Sequence, residues 1–105
     1  MIFYKILNKF ELNKLKKNDI FYGNKLDEID GFIHLSKWTQ IKGTIKKHYK
    51  HQKEVFVLKI FFKDSKMIKF EKGANNMLFP HFYDKINSKD ILAIFDYNKI
   101  KKFLN

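Results

Sequence analysis

Residues 55–62, "VFVLKIFF", are the stretch that decides the fold. Apart from Lys59 the run is apolar on both faces of a pleat, and it is rich in β-branched and aromatic residues. A strand with one face in water alternates apolar and polar residues, whereas a strand covered on both faces is almost continuously apolar. The stretch therefore predicts a central strand with other elements packed on both faces.

On the N-terminal side, the sequence predicts a strand and then a short helix. Residues 2–7, "IFYKIL", have the β-branched and aromatic composition of a strand. Asn8 followed by Glu11 resembles a capping box, so we expect a helix to begin here and to reach about Lys17. Its apolar positions are Phe10, Leu12 and Leu15.

A loop, a short strand and a second helix are predicted next. Residues 18–30 contain the turn former Gly23 and are expected to form the loop. Residues 31–35, "GFIHL", predict the strand, and Ser36 is expected to cap a helix over about residues 37–49. The apolar positions of this helix recur at helical spacing and are Trp38, Ile41, Ile45 and Tyr49.

Beyond the central strand the pattern is less regular. Residues 66–70 predict a weaker strand, and residues 91–97, "ILAIFDY", predict the last one. Residues 73–84 are expected to form a long loop, because Pro80 cannot donate to the ladder of a central strand. The tail, residues 98–105, fits either a helical turn or a returning edge strand.

These elements predict one compact α+β domain over residues 1–105, with about five to six mostly antiparallel strands and two helices. No run approaches the roughly 18 apolar residues of a membrane span, and the N-terminus does not resemble a signal peptide. The chain lacks cysteine, which excludes disulfides and thiolate chemistry. We expect a cytoplasmic protein without membrane contact, as a monomer or weak dimer.

The net charge of +11 comes entirely from lysine, since all 22 basic residues are Lys. Lysine offers a flexible point charge, whereas arginine reads bases and phosphates with a bidentate fork. The charge therefore predicts weak, salt-sensitive attraction to RNA or another polyanion rather than sequence-specific readout. The abundance of Lys, Ile, Asn and Phe, which have A/T-rich codons, indicates that part of the charge reflects composition.

The segment "DGFIHLS", residues 30–36, places a histidine inside an apolar strand. Because side chains alternate along a strand, Phe32, His34 and Ser36 are expected to share one face. With a helix N-terminus beside it, His34 could bind a ribose or phosphate oxygen or move a proton. The alternative is a buried neutral histidine that donates to a backbone carbonyl.

A second histidine lies in "LFPHFYD", residues 78–84, among apolar and aromatic residues. Conformationally restrained loops that carry histidine and tyrosine, as His81 and Tyr83 do here, are common in binding sites. An aromatic lid that closes the core, with Phe79 and Phe82 buried and His81 half exposed, explains the segment equally well. Glu71 enters the same region from the preceding strand and is a candidate carboxylate or an exposed ion-pair partner.

Other chemistries have little support. His48 and His51 are three residues apart, but no further ligand lies at metal-binding spacing, so we expect no metal site. The chain has no P-loop, no G-x-G-x-x-G and no G-x-S-x-G motif, which argues against Walker-type and serine-nucleophile mechanisms.

Several segments of the chain resemble the bacterial family called domain of unknown function 952. They are "DGFIHLSKWTQ", "LFPHFYD", "IFYKIL", "VFVLKI" and the Phe70–Glu71 pair. The resemblance covers essentially the whole chain. Phe10 and Phe70 stand where the family usually has Trp, Lys37 where it has Thr, and Asp84 where it has Gly.

The resemblance implies a fold similar to the ADP-ribosyltransferase superfamily, with a split, twisted sheet and a dinucleotide cleft. His34 then matches a ribose-holding position with Ser36 beside it, and Tyr83 is the candidate nicotinamide platform. Glu71 fits the late-strand catalytic glutamate poorly by chain order, and the final strand offers only Asp96. If the chain is an enzyme, the resemblance implies a divergent transferase or hydrolase that uses NAD or ADP-ribose.

Three hypotheses follow. In the first, one pocket for a nucleotide or ADP-ribose-like ligand has the catalytic candidates His34, Glu71 and His81. Its binding candidates are Phe32, Ser36, Phe79 and Tyr83. In the second, the chain is a non-catalytic, lysine-rich module for RNA or another polyanion. In the third, both histidine segments are core architecture and function lies in a partner protein. The first requires the rings of His34 and His81 to approach each other and line one cleft.

Overall fold

A computed structural model describes residues 1–104 of the chain. Within them the strands are β1 Ile2–Asn8, β2 Ile20–Phe21, β3 Ile33–His34, β4 Val55–Phe61, β5 Ile68–Lys72, β6 Leu78–Phe82, β7 Ile86–Asn87 and β8 Ile91–Asp96. The α-helices are α1 Lys9–Asn18, α2 Lys25–Asp30, α3 Ile41–His48 and α4 Tyr97–Ile100. Single 3₁₀ turns lie at Trp38–Gln40, Ala74–Asn76, Ser88–Asp90 and Lys101–Phe103.

The first sheet has the order β1-β4-β8, with antiparallel pairing throughout and β4 in the middle. Leu58 and Ile60 of β4 belong to one buried cluster, together with residues of α1. Val55 and Val57 belong to a second cluster that includes Ile41 of α3. β4 is therefore the central, doubly covered strand that its apolar run predicts.

A second antiparallel sheet has the order β3-β6-β5. It meets the first sheet through one bridge, in which Tyr4 and Ser36 exchange backbone hydrogen bonds of 2.9 and 2.8 Å. β2 and β7 form a separate two-stranded ribbon. The expected α+β class with antiparallel pairing is confirmed, and the Cα radius of gyration of 12.8 Å is that of a compact chain of this length.

The expected counts of about five to six strands and two helices are wrong, because residues 1–104 contain eight strands, three of them only two residues long, and four helices. The predicted loop 18–30 contains β2 and α2, and the tail forms the helical turn of α4. Asn24 and Asp27 form a capping box at the start of α2, and Gly31 ends the helix with φ +82°. A two-residue strand and a six-residue helix are too short to show a periodic pattern. Asn105, the end of the predicted tail, lies outside the described residues.

Pro80 also contradicts the prediction, since it lies in β6, the middle strand of the second sheet. Its carbonyl accepts from Leu35 N, 3.0 Å away, so its backbone polar groups face β3 rather than β5. β3 ends at His34, and the ladder therefore does not continue past the proline ring. The residue needs no N–H at this position.

Two side-chain expectations at the helix starts differ in outcome. The capping box of Asn8 and Glu11 is confirmed. Ser36 does not cap a helix: it is buried, and its hydroxyl lies 3.2 Å from Thr44 Oγ1 in α3. Phe10, expected on the apolar face of α1, is 76% exposed, whereas Leu12 and Leu15 are buried.

No described helix is long and apolar enough to cross a membrane.

Candidate functional site

A cavity of about 1060 Å³ lies where α2, α3 and the second sheet meet. Five of the residues predicted from the sequence line it, namely Phe32, His34, Ser36, Phe79 and His81. Glu71 and Tyr83 are not among the lining residues, although both lie beside His81. The structure thus brings the two histidine segments to one cavity and leaves two of the candidates outside its wall.

The strand register explains why the two histidines meet. β3 and β6 are antiparallel, and His34 lies directly opposite His81 in the pairing. Cross-strand partners project to the same face of a sheet, and the two ring centroids are 5.8 Å apart. The approach that the pocket hypothesis requires is therefore present.

His34 contacts a buried ion pair formed by Asp27 and Lys5. Its Nδ1 and its backbone N–H both contact Oδ1 of Asp27. The ammonium of Lys5 lies 2.9 Å from the other carboxylate oxygen and donates to the backbone carbonyl of His34. Asn24 N adds a further donor at 2.9 Å. The carboxylate of Asp27 therefore joins β1, α2 and β3 at the base of the cavity.

Burial and charge act in opposite directions on this pair. Burial lowers the pKa of Lys5 despite the attraction of Asp27. Burial alone would raise the pKa of Asp27, but the hydrogen bonds from His34 and the charge of Lys5 outweigh it and lower that pKa below its ordinary value. Asp27 is consequently a carboxylate that stays ionised although it is buried.

The other ring nitrogen of His34 lies toward the cavity mouth. Its Nε2 is 2.8 Å from Oδ2 of Asp30, the last residue of α2. The Asp30 side chain is 40% exposed and lines the cavity. His34 thus lies between two carboxylates, one buried and one at the surface.

His81 has a different environment. Its ring stacks on Phe32, with centroids 3.9 Å apart and planes inclined by 20°. Its Nδ1 is 3.0 Å from Oε1 of Glu71, which also accepts a 2.6 Å hydrogen bond from the hydroxyl of Tyr83. The hydrogen bond from the Tyr83 hydroxyl lowers the pKa of Glu71, and the hydrogen bond with His81 lowers it further. The hydrogen bond between Tyr83 and Glu71 in turn raises the pKa of Tyr83.

Exposed lysines contribute positive charge to the cavity wall. Four exposed lysines line the cavity: Lys25, Lys46, Lys47 and Lys72. His48 lines it too, and partial burial followed by the charge of Lys47 lowers its pKa. Gly43 of α3 faces open space, with no atom within 4 Å of where a Cβ would lie. The wall formed by α3 therefore leaves room for a ligand beside cationic side chains.

Sequence reasoning missed Asp27 and Lys5. Asp27 lies in a segment that was expected to be a loop, and its position three residues after Asn24 was a capping-box signal. Lys5 is the one charged residue of "IFYKIL", and a lone lysine at an inward position of an apolar strand signals a buried partner. Gln40 was also missed; it is buried, and its amide donates to the carbonyl of Leu78, 2.8 Å away.

Within residues 1–104, no group of three or more His, Cys, Asp or Glu side chains is arranged so that it could hold a metal ion. His48 lines the cavity, whereas His51 lies outside its wall. The groups in the wall are instead imidazoles, ammonium groups, aromatic rings and the carboxylates of Glu11, Asp27 and Asp30, and the four lysines outnumber the three carboxylates.

The family model described as "Protein of unknown function (DUF952)" matches residues 6–94. The chain belongs to this family. The crystal structure of protein CC0527 from Caulobacter crescentus is similar to this DUF952 chain, with a TM-score of 0.83 and 29% identity. The similarity covers 91% of this chain and 85% of that one.

The solution NMR structure of CC0527 agrees, with a TM-score of 0.79 at 29% identity over 90% and 83% of the two chains. No curated protein matches the chain significantly. Membership of DUF952 is therefore confirmed, while the similarity to ADP-ribosyltransferases stays a prediction.

Proposed function

We propose that this DUF952 protein binds a phosphorylated nucleotide or ADP-ribose-like ligand in the cavity between α2, α3 and the second sheet. One observation carries the proposal: His34 and His81 lie 5.8 Å apart on one wall of a cavity that exposed lysines also line. Buried or half-buried imidazoles need polar partners, and both rings have one. Packing alone does not require both rings to face the same cavity.

The wall offers separate groups for the parts of such a ligand. The ammonium groups of Lys46 and Lys47 suit phosphate oxygens, because lysine binds phosphate as a point charge. His34 Nε2 suits a ribose hydroxyl or a phosphate oxygen. Phe32 and Phe79 offer aromatic surface for a base or a nicotinamide ring. The cavity volume of about 1060 Å³ is at the upper end of the range for small-molecule sites.

The placement of Glu71 favours binding over group transfer. A catalytic carboxylate must reach the reacting atoms, and Glu71 lies outside the cavity wall, where it accepts from His81 and Tyr83. We therefore propose a divergent relative of ADP-ribosyltransferases that retains the nucleotide cleft and in which Glu71 does not act as the carboxylate of transfer. His81 then supports the wall, and His34 contacts the ligand.

A thermal-shift panel tests the proposal. NAD, ADP-ribose, nucleoside monophosphates and short RNA are added to the wild type, to His34→Ala and to His51→Ala. His51 is exposed and outside the cavity wall, so its variant is the matched control. We expect ADP-ribose or another nucleotide to raise the melting temperature of the wild type and of His51→Ala, but not that of His34→Ala.

Two results would count against the pocket. Equal shifts of the melting temperature in all three proteins would show that His34 does not contribute to ligand binding. A shift with RNA alone, lost on adding salt, would favour the polyanion module instead, because release of counterions makes such binding steeply salt-dependent.

A further inference from the structure

The two carboxylates that flank His34 differ in what holds them. Asp27 is 2% exposed, and its carboxylate accepts from Lys5 and from the backbone N–H groups of Asn24 and His34. Asp30 is at the surface, and within the described residues its carboxylate contacts only Nε2 of His34. Moving Asp27 would break a buried ion pair and two backbone hydrogen bonds, whereas Asp30 needs only a rotamer change.

The contacts of Asp27 place a proton on Nδ1 of His34. An ammonium and two backbone N–H groups can only donate, so the Asp27 carboxylate is an ionised acceptor. Nδ1 of His34 lies against the same carboxylate and must therefore donate to it. This leaves Nε2 as the ring nitrogen that is directed at the cavity.

Nε2 is the position at which an anion can replace a side chain. A carboxylate oxygen of Asp30 lies 2.8 Å from it, and because a carboxylate oxygen can only accept, Nε2 donates to it. A phosphate oxygen offers the same acceptor geometry. The exposed lysines of the cavity wall would attract a phosphate into the cavity.

We infer that Asp27 is the positioning residue of His34, and that Asp30 occupies an anion subsite at Nε2 until a phosphate oxygen of the ligand replaces it. The inference rests on the proposed function, which supplies the phosphorylated ligand. It adds that the ligand group at His34 is an anionic oxygen and that Asp30 competes with it.

The first test needs no ligand. Long-range proton–nitrogen NMR spectra of the wild type distinguish ring nitrogens that carry a proton from those that do not, and His34→Gln identifies the His34 signals. We expect a proton on Nδ1. Asp27→Ala is expected to lose that proton, because Nδ1 then has no carboxylate to which it can donate. An Nδ1 without a proton in the wild type would overturn the positioning role, whether or not the variant folds.

The second test measures competition, with inorganic pyrophosphate as the probe in an NMR titration of His34. Asp30→Ala is expected to bind pyrophosphate about two- to fivefold more tightly than the wild type, since an exposed ion pair of modest strength is removed. Glu28→Ala is the matched control, because it removes the same charge from an exposed position of α2 that does not line the cavity.

Equal affinities of Asp30→Ala and Glu28→Ala, or no response of His34 in any of the proteins, would overturn the subsite. The outcome is separable from that of the nucleotide panel. Pyrophosphate binding that Asp30→Ala strengthens, without binding of any nucleotide, refutes the proposed function and retains the subsite. Nucleotide binding that Asp30→Ala leaves unchanged supports the proposed function and refutes the subsite.

Discussion

The two histidines of the cavity have opposite arrangements of burial. The side chain of His34 is 30% exposed, and that of its partner Asp27 is 1% exposed. The side chain of His81 is 8% exposed, and that of its partner Glu71 is 42% exposed. The ring of His34 is therefore accessible and contacts a buried carboxylate, whereas the ring of His81 is enclosed and contacts an exposed carboxylate.

This difference separates a contact group from a supporting group. His34 presents Nε2 at the cavity while Lys5 and Asp27 fix the ring from below. His81 is covered by Phe32, and its carboxylate partner is itself in solvent. An accessible imidazole on a fixed base suits ligand contact, whereas a stacked and enclosed imidazole mainly shapes the wall.

The largest expected effect comes from breaking the buried pair. Asp27→Ala leaves the ammonium of Lys5 buried without its partner, so we expect a loss of about 3–5 kcal/mol in the free energy of unfolding. Denaturant titration measures the loss. Glu71→Ala is the matched change at the other histidine and is expected to leave the midpoint close to that of the wild type. Equal losses in both variants would remove the distinction between the two arrangements.

A smaller effect is expected in acid. The pKa of Asp27 in the folded protein is below its ordinary value of 3.8, so between these two values the unfolded chain binds more protons. The stabilisation is therefore complete above about pH 3.8 and is lost as the pH falls through the folded-state pKa. Free energies of unfolding measured across this window should decline more steeply for the wild type than for Asp27→Asn.

Glu71→Gln is the control for the acid measurement. Its carboxylate is at the surface, where solvent screens its contacts, so its removal should change the acid decline less than Asp27→Asn does. Parallel declines of the wild type and Asp27→Asn would show that Asp27 is not the titrating group.

The smallest effect concerns the exposed carboxylate. The hydrogen bond from Tyr83 is the largest of the influences that lower the pKa of Glu71. Tyr83→Phe should therefore raise this pKa toward its ordinary value, which a carboxyl-carbon NMR titration measures. Tyr22→Phe removes the hydroxyl of an exposed tyrosine and should not move the pKa of Glu71. A Glu71 pKa unaltered by Tyr83→Phe would contradict the contact.

Much of the fold could be predicted where the sequence signal is local and long enough. The apolar run of β4 identifies the central strand, and Asn8 with Glu11 marks the start of α1. The alternation in "GFIHL" correctly places Phe32 and His34 on one face. These features depend on side chains within a few residues of one another.

The parts that were not predicted depend on contacts between distant segments. Asp27 joins Lys5, 22 residues earlier, to His34, and no spacing rule connects three such positions. Pro80 is tolerated in a middle strand only because its neighbour β3 ends beside it. Ser36 does not cap because its hydroxyl meets Thr44 instead of the first turn of the helix.

The most direct test of the account is a crystal structure of the protein soaked with ADP-ribose. We predict that the ligand lies in the cavity with a phosphate oxygen within hydrogen-bond distance of Nε2 of His34, and that Asp30 has rotated away. The Asp27 carboxylate should remain on Nδ1. A ligand bound outside the cavity, or Asp30 still in contact with Nε2 beside a bound ligand, would contradict the account.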